Sequence, residues 1–225
     1  MQVHLGVSGS RVDIDSLIDL AEVAERGLFD FIVSDDLTAL AALAGVTDHV
    51  GLVGTIDTAS HEPFEVSRQL ATLDHLSDGR AGWNIVTSTR ADEFLAVARE
   101  FWDSWQDDAV LADLETGIYA DPNKIRSVDY AGEQFDVRGF ATLPAGPQGH
   151  PVRLGAFLPM EFLGAAHQIA EQIDHHVRSE ACDGFLVTPD GLDQFVASVV
   201  PLLQERGVFR SEYRGATLRE HLGWA

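Results

Sequence analysis

Short apolar runs alternate with longer amphipathic stretches along the first half of the chain. The apolar runs, which predict buried strands, are Val3–Val7, Phe29–Val33, Val50–Ile56 and Ala81–Thr87. Between and after them, apolar side chains recur at helical spacing, which predicts helices at Ile14–Arg26, Leu37–Ala44, Pro63–Leu76 and Ala91–Trp105. The first half of the chain is therefore expected to be a series of strand–helix units.

Such alternation is typical of right-handed βαβ units and of a parallel sheet, so the fold class is predicted to be α/β. A closed barrel and an open, doubly wound sheet both fit this pattern. No G-x-G-x-x-G segment follows any predicted strand, which argues mildly against a dinucleotide-binding open sheet.

The pattern changes between Tyr119 and Gly149, where we predict an excursion from the sheet that contains a hairpin, or two short extended pieces, around Gly132. Strand–helix alternation then returns, with predicted elements at Pro151–Phe157, Ala165–Arg178, Gly184–Val187 and Leu192–Arg206. The remaining tail is polar, and we expect it to pack on the outside.

The whole chain, residues 1–225, is interpreted as one domain, because a single α/β barrel can have this size. The strand count is a difficulty, since the pattern yields six strands of barrel type. A closed (β/α)8 barrel needs eight strands and typically about 250 residues. Either two strands escape the pattern, or the chain is incomplete, or the sheet is not a full barrel.

The charge balance is strongly acidic, with 15 Lys and Arg against 36 Asp and Glu and a formal net charge of −21. Such a surface repels phosphate backbones and anionic lipids, so neither nucleic acid nor a membrane is an expected partner. No apolar stretch approaches the ~20 residues that span a bilayer, and no secretory signal precedes the first strand. The single cysteine, Cys182, fits a reducing cytoplasm.

Polar side chains occur where three of the predicted strands end. Asp35 and Asp36 follow the second strand, Thr55 ends the third, and the fourth carries Asn84 and ends at Ser88. Because α/β enzymes place their ligand groups at the carboxyl ends of parallel strands, these residues predict a polar-rimmed pocket.

Each of these residues has a structural alternative. Either aspartate could cap the next helix, and Thr55 and Ser88 are of types common at strand ends. Asn84 differs, because an amide inside an apolar strand must find hydrogen-bond partners. His61 could be a base, although a loop histidine beside a helix start is usually solvated. No HExxH, CxxC, GxSxG or Walker-type segment occurs, so a zinc site, a redox dithiol, a serine hydrolase and a nucleoside triphosphatase all lack support, and no metal site is expected.

One long segment adds a family resemblance. LATLDHLSDGRAGWNIVTS (Leu70–Ser88) resembles the FMN-dependent monooxygenases of the bacterial-luciferase-like class, the group of nitrilotriacetate monooxygenase component A and dibenzothiophene-sulfone monooxygenase. GLFDFIVSDD and HVGLVGTIDTASHEPFEVSRQ are similar to its second and third strands, and VVPLLQERGVFRSEYRGATLREHLG to its C-terminal segment. The resemblance spans nearly the whole chain.

The resemblance implies a luciferase-like TIM (β/α)8 barrel that takes reduced FMN from a separate NAD(P)H-dependent flavin reductase. In this family, reduced FMN reacts with O2 to give a flavin hydroperoxide, which oxygenates a small organic substrate. Asp36 and Thr55 match FMN-binding positions of the family. Asn84 and Ser88 lie in the matching strand, and the resemblance implies that they bind FMN by facing its isoalloxazine ring or its ribityl chain. The resemblance also implies a cytoplasmic homodimer or homotetramer, and it assigns no catalytic residue.

Parts of the family pattern are missing. A loop rich in flavin-contacting residues should follow Ser88, and a Gly-Ser-Ser phosphate-binding turn should follow Arg153–Phe157. Two barrel strands would fall near Phe157, which accounts for the count of six. We therefore expect that the sequence lacks mobile loops and part of the barrel. The alternatives are an inactive flavin-binding barrel remnant and a deazaflavin-dependent oxidoreductase of the same superfamily.

Overall fold

The structure is a computed structural model that describes residues 2–9, 13–86, 89–155, 157–160, 164–179 and 184–224. Its strands are β1 (His4–Ser8), β2 (Phe31–Ser34), β3 (Gly51–Asp57), β4 (Ala81–Val86), β5 (Val110–Asp113), β6 (Ile118–Ala120), β7 (Val128–Ala131), β8 (Asp136–Gly139), β9 (Val152–Arg153), β10 (Phe157–Met160) and β11 (Gly184–Val187).

The helices are α1 (Ile14–Arg26), α2 (Leu37–Leu43), α3 (Pro63–Leu76), α4 (Ala91–Trp102), α5 (Ala166–Arg178), α6 (Leu192–Ser198), α7 (Val200–Glu205) and α8 (Leu218–His221), with a 3-10 turn at Pro122–Lys124. Across the described ranges, none of these helices has the length and apolar character needed to cross a bilayer.

Local signals explain where several helices begin and end. The Asp13 carboxylate caps α1 by accepting from the Ser16 backbone N–H at 3.0 Å, and Pro63 occupies the first position of α3. The single closing helix predicted from Leu192 to Arg206 is wrong, because the structure divides it at Val199 into α6 and α7. Pro201 lacks the N–H that a continuous helix would need there, which explains the interruption.

Seven parallel strands form the main sheet in the order β10-β11-β1-β2-β3-β4-β9. Phe31 of β2 and Phe157 of β10 are three strands apart in this order, yet their ring centroids lie 4.7 Å from each other. In a flat sheet, three strand spacings would separate them by about 14 Å. The sheet is therefore strongly curled, with an inner and an outer face.

The predicted strand Pro151–Phe157 is wrong, because the structure contains two strands in this region, and they lie at opposite edges of the sheet. The chain from Arg153 to Phe157 can span only about 14 Å, so the two edges nearly meet. The α/β prediction is confirmed, and β10 supplies a seventh barrel strand where we counted six. The described residues contain no eighth strand of this sheet, so the closed (β/α)8 barrel is not confirmed.

The excursion lies between α4 and β9 and contains two antiparallel hairpins. The β7–β8 hairpin around Gly132 confirms the prediction. The β5–β6 hairpin was not predicted, because most of its side chains are exposed and its apolar residues do not alternate.

The C-terminal segment packs inside the curl, so the expectation that the tail lies outside is wrong. Leu218 and Leu222 are buried in one apolar cluster with inward-facing strand residues such as Val53. The Leu218 methyl groups lie directly over two glycines of the sheet. A Cβ at Gly51 would lie 2.5 Å from one methyl carbon, and a Cβ at Gly82 would lie 2.9 Å from the other. The two leucines are four residues apart and therefore lie on one face of a helical turn. The prediction missed this face because it relied on the mostly polar composition of the whole tail.

A buried ion pair attaches this tail to the start of the sheet. The Asp30 carboxylate is fully buried, accepts from the Leu5 backbone N–H at 2.7 Å and lies 2.9 Å from His4 Nδ1. Arg210 Nη2 pairs with the same carboxylate and donates to the His221 carbonyl oxygen at 3.2 Å. The pair thus connects β1, the residue before β2 and the C-terminal segment.

His221 should make the fold sensitive to acid. Burial first, and the nearby Arg210 second, lower the pKa of His221 below its ordinary value of 6.5; Asp30 and His49 also act on this imidazole, and Tyr213 packs against it. The folded state therefore binds a proton on His221 less readily than the unfolded state does. We expect the free energy of unfolding to be at its full value above pH 6.5 and to fall as the pH drops below it.

Urea denaturation of the wild type and of His221→Leu between pH 8 and pH 5 measures this effect. The variant should lose part of the pH dependence, since leucine keeps the site apolar and cannot be protonated. Parallel pH curves for the two proteins would exclude His221 as a source of the acid sensitivity.

Candidate functional site

Thr55 and Asn84 are direct neighbours on adjacent parallel strands. The register of β3 and β4 pairs the two residues, and paired residues of neighbouring strands project from the same face. Val53, two positions before Thr55, belongs to the inner apolar cluster, so Thr55 and Asn84 face the inside of the curl. They lie toward the carboxyl ends of their strands, as the sequence predicted.

Both side chains are half-buried and lack a protein partner. Within the described ranges, neither the Thr55 hydroxyl nor the Asn84 amide forms a hydrogen bond. Polar groups in such positions are normally satisfied, so the pair is suited to a ligand that supplies donors and acceptors.

Asp36 has a structural role that accounts for its position. Its Oδ1 accepts from the backbone N–H groups of Thr38 at 2.9 Å and Ala39 at 3.1 Å, which makes it the N-cap of α2. The capping alternative is therefore confirmed for Asp36, whose carboxylate is exposed. Ser88, the fourth predicted site residue, lies outside the described residues.

A cavity of about 630 Å³ lies beside the ends of β2 and β3, next to α2 and α3. Its lining includes Ser34, Asp36, Leu37, Ile56, His61 and Gln69. Of the predicted site residues that the structure describes, Asp35, Asp36 and His61 line it, whereas Thr55 and Asn84 project from the other face of the sheet. The structure thus brings Thr55 and Asn84 together and places Asp36 on the opposite side of β3.

His61 is held by the loop that follows β3. Its Nδ1 lies 2.8 Å from the Asp57 carbonyl oxygen, a distance at which a protonated Nδ1 donates a hydrogen bond to this oxygen. The Asp57 carboxylate accepts from the Ala59 N–H and the Ser60 hydroxyl, both at 2.9 Å. These hydrogen bonds lower the pKa of Asp57. The loop is therefore cross-linked by its own polar groups.

Much of the Leu70–Ser88 segment lies at the opposite end of the sheet from Thr55 and Asn84. Arg80, immediately before β4, is buried and donates to the carbonyl oxygens of Ser77 and Val50 at 2.8 Å and of Thr47 at 2.7 Å. Arg80 Nη2 also donates to the Ala44 carbonyl oxygen at 3.3 Å. Because the guanidinium provides hydrogen bonds to four backbone carbonyls, its role here is structural.

Asp74 in the same segment attaches the end of the excursion to β4. Its Oδ1 accepts from the Ala81 N–H at 3.1 Å and from Gln148 Nε2 at 2.7 Å, and its Oδ2 accepts from the Gln148 N–H at 3.1 Å. Burial raises the pKa of Asp74, while these hydrogen bonds oppose the shift.

One charged residue near the carboxyl ends of β3 and β4 does not stand out in the sequence pattern. Arg90 directly precedes α4, and its Nη1 donates to the Ala59 carbonyl oxygen at 3.3 Å, which links the start of α4 to the loop that follows β3. The only signal in the sequence is an arginine between the end of a predicted strand and an amphipathic helix.

Comparison with known proteins adds family information to this geometry. The family model described as luciferase-like monooxygenase matches residues 2–165. N-acetyl-S-(2-succino)cysteine monooxygenase of Bacillus subtilis (strain 168) is 26% identical over 401 positions, which cover 96% of this chain and 91% of that protein. Nitrilotriacetate monooxygenase component A of Aminobacter aminovorans is 27% identical over 357 positions, covering 85% and 79%.

Both alignments are longer than the 225 residues of this chain, so each relative carries residues inside the aligned span that have no counterpart here. This agrees with the expectation that the sequence lacks loops and part of the barrel.

Solved structures share the fold. A riboflavin lyase, solved with modified FMN and riboflavin, superposes with a TM-score of 0.90 at 19% identity, covering 99% of this chain and 96% of that chain. A coenzyme F420-dependent tetrahydromethanopterin reductase from Methanopyrus kandleri gives a TM-score of 0.53 at 14% identity, covering 93% and 63%. At these identities the likeness concerns the fold alone.

Proposed function

Because this chain belongs to the luciferase-like monooxygenase family, we propose that it is the oxygenating component of a two-component system that uses reduced FMN and O2. The substrate is a small organic molecule. The observation that carries the proposal is the Thr55–Asn84 pair, two adjacent polar side chains that have no hydrogen-bond partner among the residues the structure describes. The pair lies near the strand ends where α/β barrels bind ligands.

The residues present fit a flavin. The hydroxyl of Thr55 and the amide of Asn84 offer both donors and acceptors to the polar groups of FMN. Asp36 and Ser88 are proposed as further flavin contacts on the resemblance alone. Reduced flavin supplies the electrons that activate O2, so that one oxygen atom is transferred to the substrate. The part of this chain is to orient the flavin and to keep water from it.

A separate NAD(P)H-dependent flavin reductase is the proposed source of reduced FMN. The name of one relative, component A of a monooxygenase, supports a system of more than one component. We further propose a homodimer or homotetramer, which light scattering on the purified protein tests directly.

Asn84→Ala should weaken the binding of reduced FMN by roughly tenfold, because it removes hydrogen bonds to a half-buried ligand. Anaerobic titration with reduced FMN, followed by flavin absorbance, gives the dissociation constant. The matched control is Asn123→Ala, which changes the other asparagine of the chain, an exposed residue of the excursion. This control should bind reduced FMN like the wild type, and equal affinity for all three proteins would remove Asn84 from the site.

The same titration distinguishes the two alternatives. If the wild type binds neither reduced FMN nor the reduced deazaflavin F420, the chain is a barrel remnant without flavin chemistry. Tighter binding of F420 than of FMN would favour the deazaflavin-dependent oxidoreductase. Where FMN binds, oxygen consumption with a flavin reductase and a panel of sulfur and amine compounds identifies the substrate class.

A further inference from the structure

The turn that joins β7 to β8 is attached to the first turn of α4 by one carboxylate. Glu93 Oε1 accepts from the backbone N–H groups of Gln134 at 3.1 Å and Phe135 at 3.0 Å, and its Oε2 lies 3.0 Å from the Gln134 nitrogen. A Cβ at Gly132 would collide with Glu93 Oε1, so the turn fits closely around this side chain. Charge-assisted hydrogen bonds of this kind are stronger than neutral ones.

Phe135 carries the attachment toward the site. Its ring is buried, packs edge-on against Phe94 with centroids 5.8 Å apart, and lies beneath the guanidinium of Arg90 at 4.4 Å. Arg90 in turn donates to the Ala59 carbonyl oxygen in the loop after β3. A cation held over an aromatic face and bonded to a carbonyl has little freedom to move.

We propose that this arrangement is a latch, formed by Glu93, Phe135 and Arg90, that positions the loop after β3 beside the flavin. Glu93 is its positioning residue, since it fixes the turn that places Phe135 under Arg90. The inference rests on the proposed function, because this loop follows the strand that carries Thr55.

The latch is tested with Glu93→Ala, compared with Glu100→Ala as the matched control. Glu100 is on the same helix and also holds the excursion, through Arg126 Nη1 at 2.8 Å, but it lies near the opposite end of α4 from Arg90 and the loop after β3. Hydrogen–deuterium exchange needs no flavin and reports on the loops directly. Glu93→Ala should raise exchange in residues 57–61 by roughly tenfold and weaken reduced-FMN binding similarly, whereas Glu100→Ala should change neither.

Glu93→Gln keeps one acceptor oxygen and should restore most of the protection. If Glu93→Ala fails to fold, Phe135→Leu, which removes the ring beneath Arg90 and retains apolar bulk, carries the same expectation. Faster exchange confined to residues 131–136, with residues 57–61 unchanged, would overturn the latch. If exchange rises as expected while the wild type binds no reduced FMN, the latch stands as a structural device and the proposed function fails.

Discussion

Arg210→Met should lower the free energy of unfolding by about 3–5 kcal/mol, because it leaves the buried carboxylate of Asp30 without its cationic partner. The Leu5 N–H and His4 remain in contact with this carboxylate but cannot replace the permanent charge of a guanidinium. Urea denaturation at pH 7 gives the difference. The loss should be accompanied by release of the C-terminal segment, which limited proteolysis after residue 210 would detect.

Two further variants test whether the loss of stability comes from breaking the buried ion pair. Arg138→Met breaks an exposed, solvent-screened ion pair with Asp129 and should change the free energy of unfolding little. Combining Asp30→Asn with Arg210→Met removes both buried charges and should recover much of the stability lost in the single variant. If Arg210→Met costs no more than Arg138→Met, the buried pair does not hold the tail.

Asp74→Ala should cost on the order of 3 kcal/mol, because three buried or half-buried N–H groups, of Ala81 and of Gln148, lose their acceptor. The affinity of the folded protein for reduced FMN should change by less than about twofold, since Asp74 lies at the far end of β4 from Asn84. Asp74→Ala should therefore lower the free energy of unfolding and leave the affinity for reduced FMN nearly unchanged. For Asn84→Ala we expect the opposite, a larger effect on the affinity for reduced FMN than on the free energy of unfolding.

Thermal unfolding and anaerobic FMN titration on the same samples measure both quantities. Asp107→Ala, at an exposed position of the excursion, is the control and should change the free energy of unfolding by no more than about 0.5 kcal/mol. A large loss of flavin affinity in Asp74→Ala, at temperatures where the variant is fully folded, would show that flavin binding at the Asn84 end of β4 depends on Asp74 at the other end. The segment that marks the family would then contribute to the site along its whole length.

The sequence predicted the elements whose signals are local. The bounds of α1 and α3 follow from strong periodicity combined with an N-cap at Asp13 and a proline at Pro63. The separation of β9 from β10 was missed, because an apolar run interrupted by Gly155 does not show that its two halves belong to opposite edges of a sheet.

The sequence could predict those parts of the site that lie near the ends of the strands. The pairing of Thr55 with Asn84 follows from two adjacent parallel strands, once both are recognised. The latch was not predictable, because Glu93 bonds to a residue 42 positions away and only the folded excursion brings them together. For Asp36 the sequence allowed two roles, and the structure adds the capping geometry.

The burial of Leu218 inside the curl has a consequence for biosynthesis. The inward faces of β2 and β3 emerge from the ribosome well before the leucine that covers Gly51 and Gly82, because Leu218 lies far downstream of both strands in the chain. Until Leu218 follows, the half-formed sheet presents an open apolar trough, a kind of surface that recruits chaperones or aggregates. The apolar cluster can therefore close only after Leu218 has left the ribosome, and slow translation between β4 and Leu218 prolongs the vulnerable interval.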